Sequence, residues 1–182
     1  MQPGHWISVT LFGLSSCLAA QSVVPRNLAA TEGNAGKTIA GFRDRSRQQF
    51  LFHERVLRHL AGKSIRVLRF RRDDAWGEAF DASTSRLTVR VRPGSVAPAL
   101  AKERFDQNRP ASQPVFQGLV QLPASPALTG PTTWSAQHTV TIPLSRPVPY
   151  ALGQHLCIDI EGEPVNPPAD FAWPADFIVT PI

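Results

Sequence analysis

The chain has 182 residues, enough for one domain and short for two, and its hydrophobic content of 42% is that of a globular protein. Proline is frequent at 17 residues, and 15 of these lie from Pro93 onward, which excludes a bundle of long helices in that half because proline breaks helix interiors. The formal net charge is +5, and no apolar run reaches the roughly 20 residues that span a bilayer, so we expect no transmembrane helix in the mature chain.

The first twenty residues predict a secretory signal peptide. Residues 7–14 are mostly apolar, residues 15–20 are small and apolar, and the first charged side chain is Arg26. This order is typical of a cleaved signal. We therefore expect residues 21–182 to form a single domain that is secreted or lies at a bacterial cell surface. Two alternatives remain: a buried N-terminal strand, and a lipobox at residues 14–17 that would anchor the chain through a lipid on Cys17.

Charge is divided between two segments. Residues 43–72 contain ten basic and two acidic side chains, a balance of +8, whereas residues 151–182 contain five acidic side chains and neither lysine nor arginine. Such asymmetry is typical of a polyanion-binding face, but it also fits ion pairing between the two segments or a solvated sheet face. Strand alternation would divide the closely spaced Arg66, Arg69, Arg71 and Arg72 between two faces.

Period-two alternation of apolar residues predicts a series of short strands. Residues 48–61 fit a strand followed by a short helical turn that ends near Gly62. The next predicted strands are 65–70, with a phase slip that indicates a bulge, then 86–92, 116–122, 139–144 and 155–160, and an edge strand at 177–179. Turn clusters separate them. We predict an all-β fold, an antiparallel, jelly-roll-like β-sandwich with at most one short helix near 53–61.

The strand at 86–92 shows the alternation most clearly. Its apolar residues Leu87, Val89 and Val91 should face the core. The intervening residues should face outward, and these are Arg86, Thr88, Arg90 and Arg92.

Several stretches resemble a group of uncharacterised secreted bacterial β-sandwich proteins, some of which carry a PEP-type C-terminal sorting anchor. The matching stretches are Thr31–Asn34, Arg47–Phe50, Ile65–Arg71, Phe105–Asn108, Pro143–Tyr150 and Gly153–Asp159. The resemblance implies a secreted sandwich and supplies no catalytic residues. The sequence stops at Ile182 without the hydrophobic sorting segment, so we expect either no anchorage by that route or a longer natural chain.

Motifs for enzymatic chemistry are incomplete. The Gly36-Lys37-Thr38 sequence lacks the earlier glycine of a phosphate-binding loop, so no nucleotide site is expected. The five histidines show no zinc-binding spacing, and we find no nucleophile–base–acid order. Asp159, Glu161 and Glu163 share a strand face and could bind calcium, although a solvated face is the simpler interpretation. We therefore predict no catalytic residue, metal or cofactor, and a buried thiol at Cys157.

Two tryptophans lie in polar, turn-like segments. Trp76 and Trp134 could stack on sugar rings or could close the ends of the core. The sequence thus favours a non-enzymatic structural or adhesive module of the cell surface or extracellular matrix. The alternative is a carbohydrate- or polyanion-binding module that uses Trp76, Trp134, Arg71 and Arg72. Its partners would be extracellular polysaccharide or other cell-surface proteins.

Overall fold

The computed structural model describes residues 22–23, 39–73, 77–108, 111–166 and 175–181. Within these ranges, eight strands form two four-stranded antiparallel sheets that pack on a shared core. The strands are β1 Ser22–Val23, β2 Ser46–Phe52, β3 Ser64–Arg72, β4 Ser83–Pro93, β5 Phe116–Leu122, β6 Thr139–Pro149, β7 Leu156–Asn166 and β8 Ala175–Pro181.

The strand order is that of a jelly roll. The first sheet runs β1-β8-β3-β6 and the second runs β2-β7-β4-β5, and every neighbouring pair is antiparallel. Consecutive strands lie in different sheets except β4 and β5, which are neighbours in the second sheet. The predicted all-β, jelly-roll-like sandwich is therefore confirmed.

A short helical segment follows β2, as the sequence predicts. Helix α1 spans Glu54–Leu57, and His53 caps it because its Nδ1 accepts a hydrogen bond from the Arg55 N–H at 3.2 Å. A 3-10 turn, Arg58–Leu60, continues the helix, and Gly62 with φ of +76° ends it. Leu57 and Leu60 are buried, so this segment closes one part of the core.

The apolar residues that alternate along the strands form the core, as predicted. On β4, Leu87, Val89 and Val91 are buried while the intervening residues lie on the other face. The phase slip in β3 is a register shift between Ile65 and Val67. The buried hydrophobic residues of both sheets join in one core, with Phe70, Ile142, Leu156, Ile158 and Ile160 among them, and Phe42 from the turn before β2 packs in the same core.

The prediction that residues 177–179 form an edge strand was wrong. They lie in β8, which pairs with β3 on one side and with Ser22–Val23 on the other. Pairing with a segment more than 150 positions away leaves no local sequence signal. The edge of the first sheet opposite β1 is β6, whose Pro143, Pro147 and Pro149 suit an edge because proline cannot donate to a neighbouring strand.

Candidate functional site

The last residue of β3 carries a fully buried guanidinium. Arg72 follows Leu68 and Phe70 on the strand face that points into the sandwich, and none of its surface is exposed. Its Nη1 donates to Ser125 Oγ at 2.5 Å and to the Pro126 carbonyl at 2.8 Å, and its Nη2 donates to the Glu78 carbonyl.

These contacts join the two sheets. The Arg72 guanidinium carbon also lies 4.3 Å from the centre of the Phe80 ring. Phe80 forms a bridge with Ser125 that continues the β4–β5 pairing beyond Ser83. Arg72, on the first sheet, is therefore anchored to the base of a hairpin of the second sheet. Burial lowers its pKa below the ordinary value for arginine.

Arg71 lies on the opposite strand face and is covered by a tryptophan. Only 2% of Arg71 is exposed, and its guanidinium carbon lies 4.8 Å from the centre of the Trp134 ring. The ring therefore covers an arginine of its own chain, a cation–π contact, and is only partly accessible. Its indole Nε1 is buried, and we find no hydrogen-bond partner for it among the residues that the structure describes.

Three of the four predicted ligand-binding residues thus meet at one end of the sandwich. Arg71, Arg72 and Trp134 are close together, but their contacts are with the protein itself. Trp76 lies outside the described residues.

The sequence analysis missed a serine–histidine pair beside Arg72. Ser125 Oγ lies 2.9 Å from His138 Nδ1. Because Arg72 donates to the serine oxygen, the serine hydroxyl can donate its hydrogen to a neutral His138. Burial, and next the charge of Arg72, lower the pKa of His138, which favours this neutral form. The two residues stand 13 positions apart in no recognisable motif, so no sequence signal could have revealed the pair.

Ser125 and His138 lie at the distance expected of a nucleophile and its base, but their surroundings differ from those of an active site that is open to a substrate. Ser125 is only 2% exposed, so a substrate has no access to its oxygen. The oxygen is also occupied by the guanidinium of Arg72. The pair therefore completes the hydrogen bonding of a buried arginine.

A second polar cluster lies on the outer face of the second sheet. Arg47 binds Asp159 in a bidentate ion pair, with Nε donating to Oδ1 at 2.9 Å and Nη2 donating to Oδ2 at 2.6 Å. Asp159 is fully buried, and its hydrogen bond is the main reason that the pKa of Arg47 is raised. The Phe105 ring lies 5.0 Å from the Arg47 guanidinium carbon.

The β4–β5 connection folds back over this ion pair. Gln49 Nε2 donates to the Phe105 carbonyl at 2.9 Å, and Asn108 Nδ2 donates to Gln49 Oε1 at 3.1 Å. Asn108 Oδ1 accepts from the Lys102 N–H at 2.6 Å, which holds the loop in shape. Residues 47–49, 105–108 and 159, which are far apart in the sequence, therefore meet here.

The acidic residues considered for calcium face arginines instead. Besides the pair at Asp159, Glu163 accepts from Arg86 at 2.9 Å, and a Glu161 oxygen lies 3.6 Å from an Arg90 nitrogen. Between them lies a shallow, polar depression of about 180 Å³, also lined by Arg45 and Thr88. Within the described ranges, no three acidic, histidine or cysteine side chains are grouped to hold a metal ion.

Other basic side chains of the +8 segment remain at the surface. Arg43, Arg45, Arg55, Arg58, Lys63 and Arg66 are all exposed. Cys157 is buried on β7, as the sequence predicts.

No helix in the described part of the chain combines the length and apolar character needed to cross a membrane. A search of protein-family models found no match to the chain, and a search of curated proteins found no significant similarity.

Proposed function

We propose that this chain is a non-enzymatic structural or adhesive β-sandwich module that acts outside the cell or at its surface. The observation that carries the proposal is that Arg71 and Arg72 are buried inside the fold. These were the arginines expected to contact a ligand, and both are buried against groups of their own chain. Their charges serve to hold the sheets and loops together.

Secretion is part of the same proposal. Strand β1 begins at Ser22, immediately after the predicted cleavage position, and pairs with β8. Removal of residues 1–20 would therefore leave all eight strands in place. Intact-mass measurement of the exported product should give a chain that begins near Gln21 or Ser22, or at a lipid-modified Cys17. An exported product that retains Met1 would refute this part.

A polyanion-binding role is the second candidate, and one observation favours it. Six basic side chains between residues 43 and 66 are exposed, so part of the positive charge of this segment is accessible to a ligand. A sulfated or uronic-acid polymer would bind such side chains with strong salt dependence, because binding releases counterions.

Heparin chromatography with two double variants separates these candidates. Arg55→Ser/Arg58→Ser removes two exposed charges from the basic segment, and Arg104→Ser/Arg146→Ser removes two exposed charges elsewhere. If the module is structural, all three proteins elute at low salt and the two variants shift equally. Late elution of the parent protein that only the first variant abolishes would establish polyanion binding. A glycan array on the same proteins extends the test to uncharged sugars.

A further inference from the structure

A cleft lies at the end of the sandwich opposite Arg72. It is lined by residues from the beginning of β3, the end of β4, the end of β6 and the loop that leads to β7. Ser64, the first residue of β3, lies in this lining, whereas Arg72 is the last residue of the same strand. The cleft has a volume of about 460 Å³, within the range of about 300–1,000 Å³ that is typical of small-ligand sites.

Hydrogen bonds hold the walls of the cleft in place. The Gly62 N–H donates to the Tyr150 carbonyl at 3.0 Å, and the Tyr150 N–H donates to the Lys63 carbonyl at 2.9 Å. Tyr150 is only 2% exposed, and its hydroxyl donates to the Gln154 carbonyl at 2.5 Å. The walls are therefore formed before a ligand arrives, so that binding does not have to order these segments.

The uncharged part of the lining suits a sugar ring. Its apolar members are Pro93, Val148, Pro149, Tyr150 and Ala151. Rigid proline and aromatic side chains offer flat surfaces against which the C–H face of a sugar can pack. Ser64 and Gln154 also line the cleft, and their side chains can both donate and accept hydrogen bonds with sugar hydroxyls.

The charged part of the lining is positive. Lys63 and Arg92 line the cleft, and none of the described residues that do so is acidic. Neither cation has an ion-pair partner in the part of the chain that the structure describes, and Arg92 Nη2 donates only to the Ala111 carbonyl, at 3.0 Å. Glu54 lines a neighbouring cavity, where Arg58 accompanies it. The charge of the cleft is therefore complementary to a carboxylate.

We propose that this cleft binds a uronic-acid residue of an extracellular polysaccharide. The carboxylate of the sugar pairs with Lys63 and Arg92, its ring packs against Tyr150 and the prolines, and its hydroxyls bind the neighbouring polar side chains. The proposal rests on the polyanion-binding candidate and deepens it, because it names the sugar and a site that Arg55 and Arg58 do not line.

Titration calorimetry with digalacturonic acid tests the contact, and the dimethyl ester of the same sugar is the uncharged comparison. The parent protein should bind the ester at least about tenfold more weakly than the acid, because the ester cannot accept charge-assisted hydrogen bonds. Lys63→Ser should weaken binding of the acid about tenfold. Lys102→Ser is the matched control, since it removes the same charge from an exposed position outside the cleft and should leave the affinity unchanged.

Tyr150 is the only tyrosine of the chain, so its ring NMR signals report on this cleft alone. They should shift and then saturate as digalacturonic acid is added. Absence of binding at up to about 10 mM acid would overturn the proposal. So would equal affinity for the ester, an unchanged affinity of Lys63→Ser, equal loss in Lys102→Ser, or Tyr150 signals that do not move. Heparin elution of Arg55→Ser/Arg58→Ser judges the polyanion-binding candidate separately, because neither arginine lines the cleft.

Discussion

Replacing Arg72 by alanine should destabilise the sandwich more than replacing any exposed arginine of the same strand. The guanidinium donates three hydrogen bonds, to Ser125 Oγ and to the Pro126 and Glu78 carbonyls, and it packs on Phe80. Its removal leaves these acceptors without their donor and opens a cavity between the sheets.

The expected cost follows from these contacts. A hydrogen bond to a charged group contributes about 1.5–3 kcal/mol, and a buried acceptor left without its donor costs roughly 1–3 kcal/mol. The ring contact adds about 1 kcal/mol. Contributions within one network are not additive, so we expect Arg72→Ala to cost about 3–5 kcal/mol in total. That is a large fraction of the stability of a single domain.

Urea unfolding followed by tryptophan fluorescence measures this loss. Arg66→Ala is the control, because Arg66 is exposed on the same strand and its removal should change the free energy of unfolding by at most about 0.5 kcal/mol. Arg72→Lys keeps the charge but not the planar fork, so it should recover only part of the stability. If Arg72→Ala and Arg66→Ala were equally stable, the bridging role of Arg72 would be refuted.

Three further predictions concern other parts of the fold. Val89→Asp buries an unpaired charge in the core and should cost several kcal/mol, whereas Arg90→Ser, which removes a contact to the half-exposed Glu161, should cost about 1 kcal/mol or less. Equal loss in urea melts would contradict the face assignment of β4. Because the pKa of His138 is lowered in the folded state, its contribution to stability is present above pH about 6.5 and is lost as the pH falls through the folded pKa. His138→Gln should flatten that decline in melts between about pH 5 and 8, and an unchanged slope would contradict the assignment. Asp159→Asn leaves the partly exposed Arg47 without its counter-charge and should cost about 2–3 kcal/mol in a urea melt, and a loss below about 0.5 kcal/mol would show that the ion pair is not important for stability.

The sandwich architecture could be predicted from the sequence because strand alternation is a local property. Each strand shows in its own few residues which side is apolar, and the turn residues show where the chain reverses. The core positions of β4, the bulge in β3 and the short helix after β2 all follow from such local patterns. These local patterns do not determine which strands are neighbours in a sheet. For this reason the sequence analysis placed β8 at an edge, whereas it pairs with β1 and β3.

The roles of the arginines depended on tertiary structure. Alternation already places Arg72 on the same strand face as Leu68 and Phe70, but a charge there suggests a solvent-facing end of a strand. Its burial requires Ser125, 53 positions away, and the ion pair of Arg47 requires Asp159, 112 positions away. A guanidinium is stable inside a protein only where distant acceptors converge on it, and that convergence exists only once the two sheets have packed.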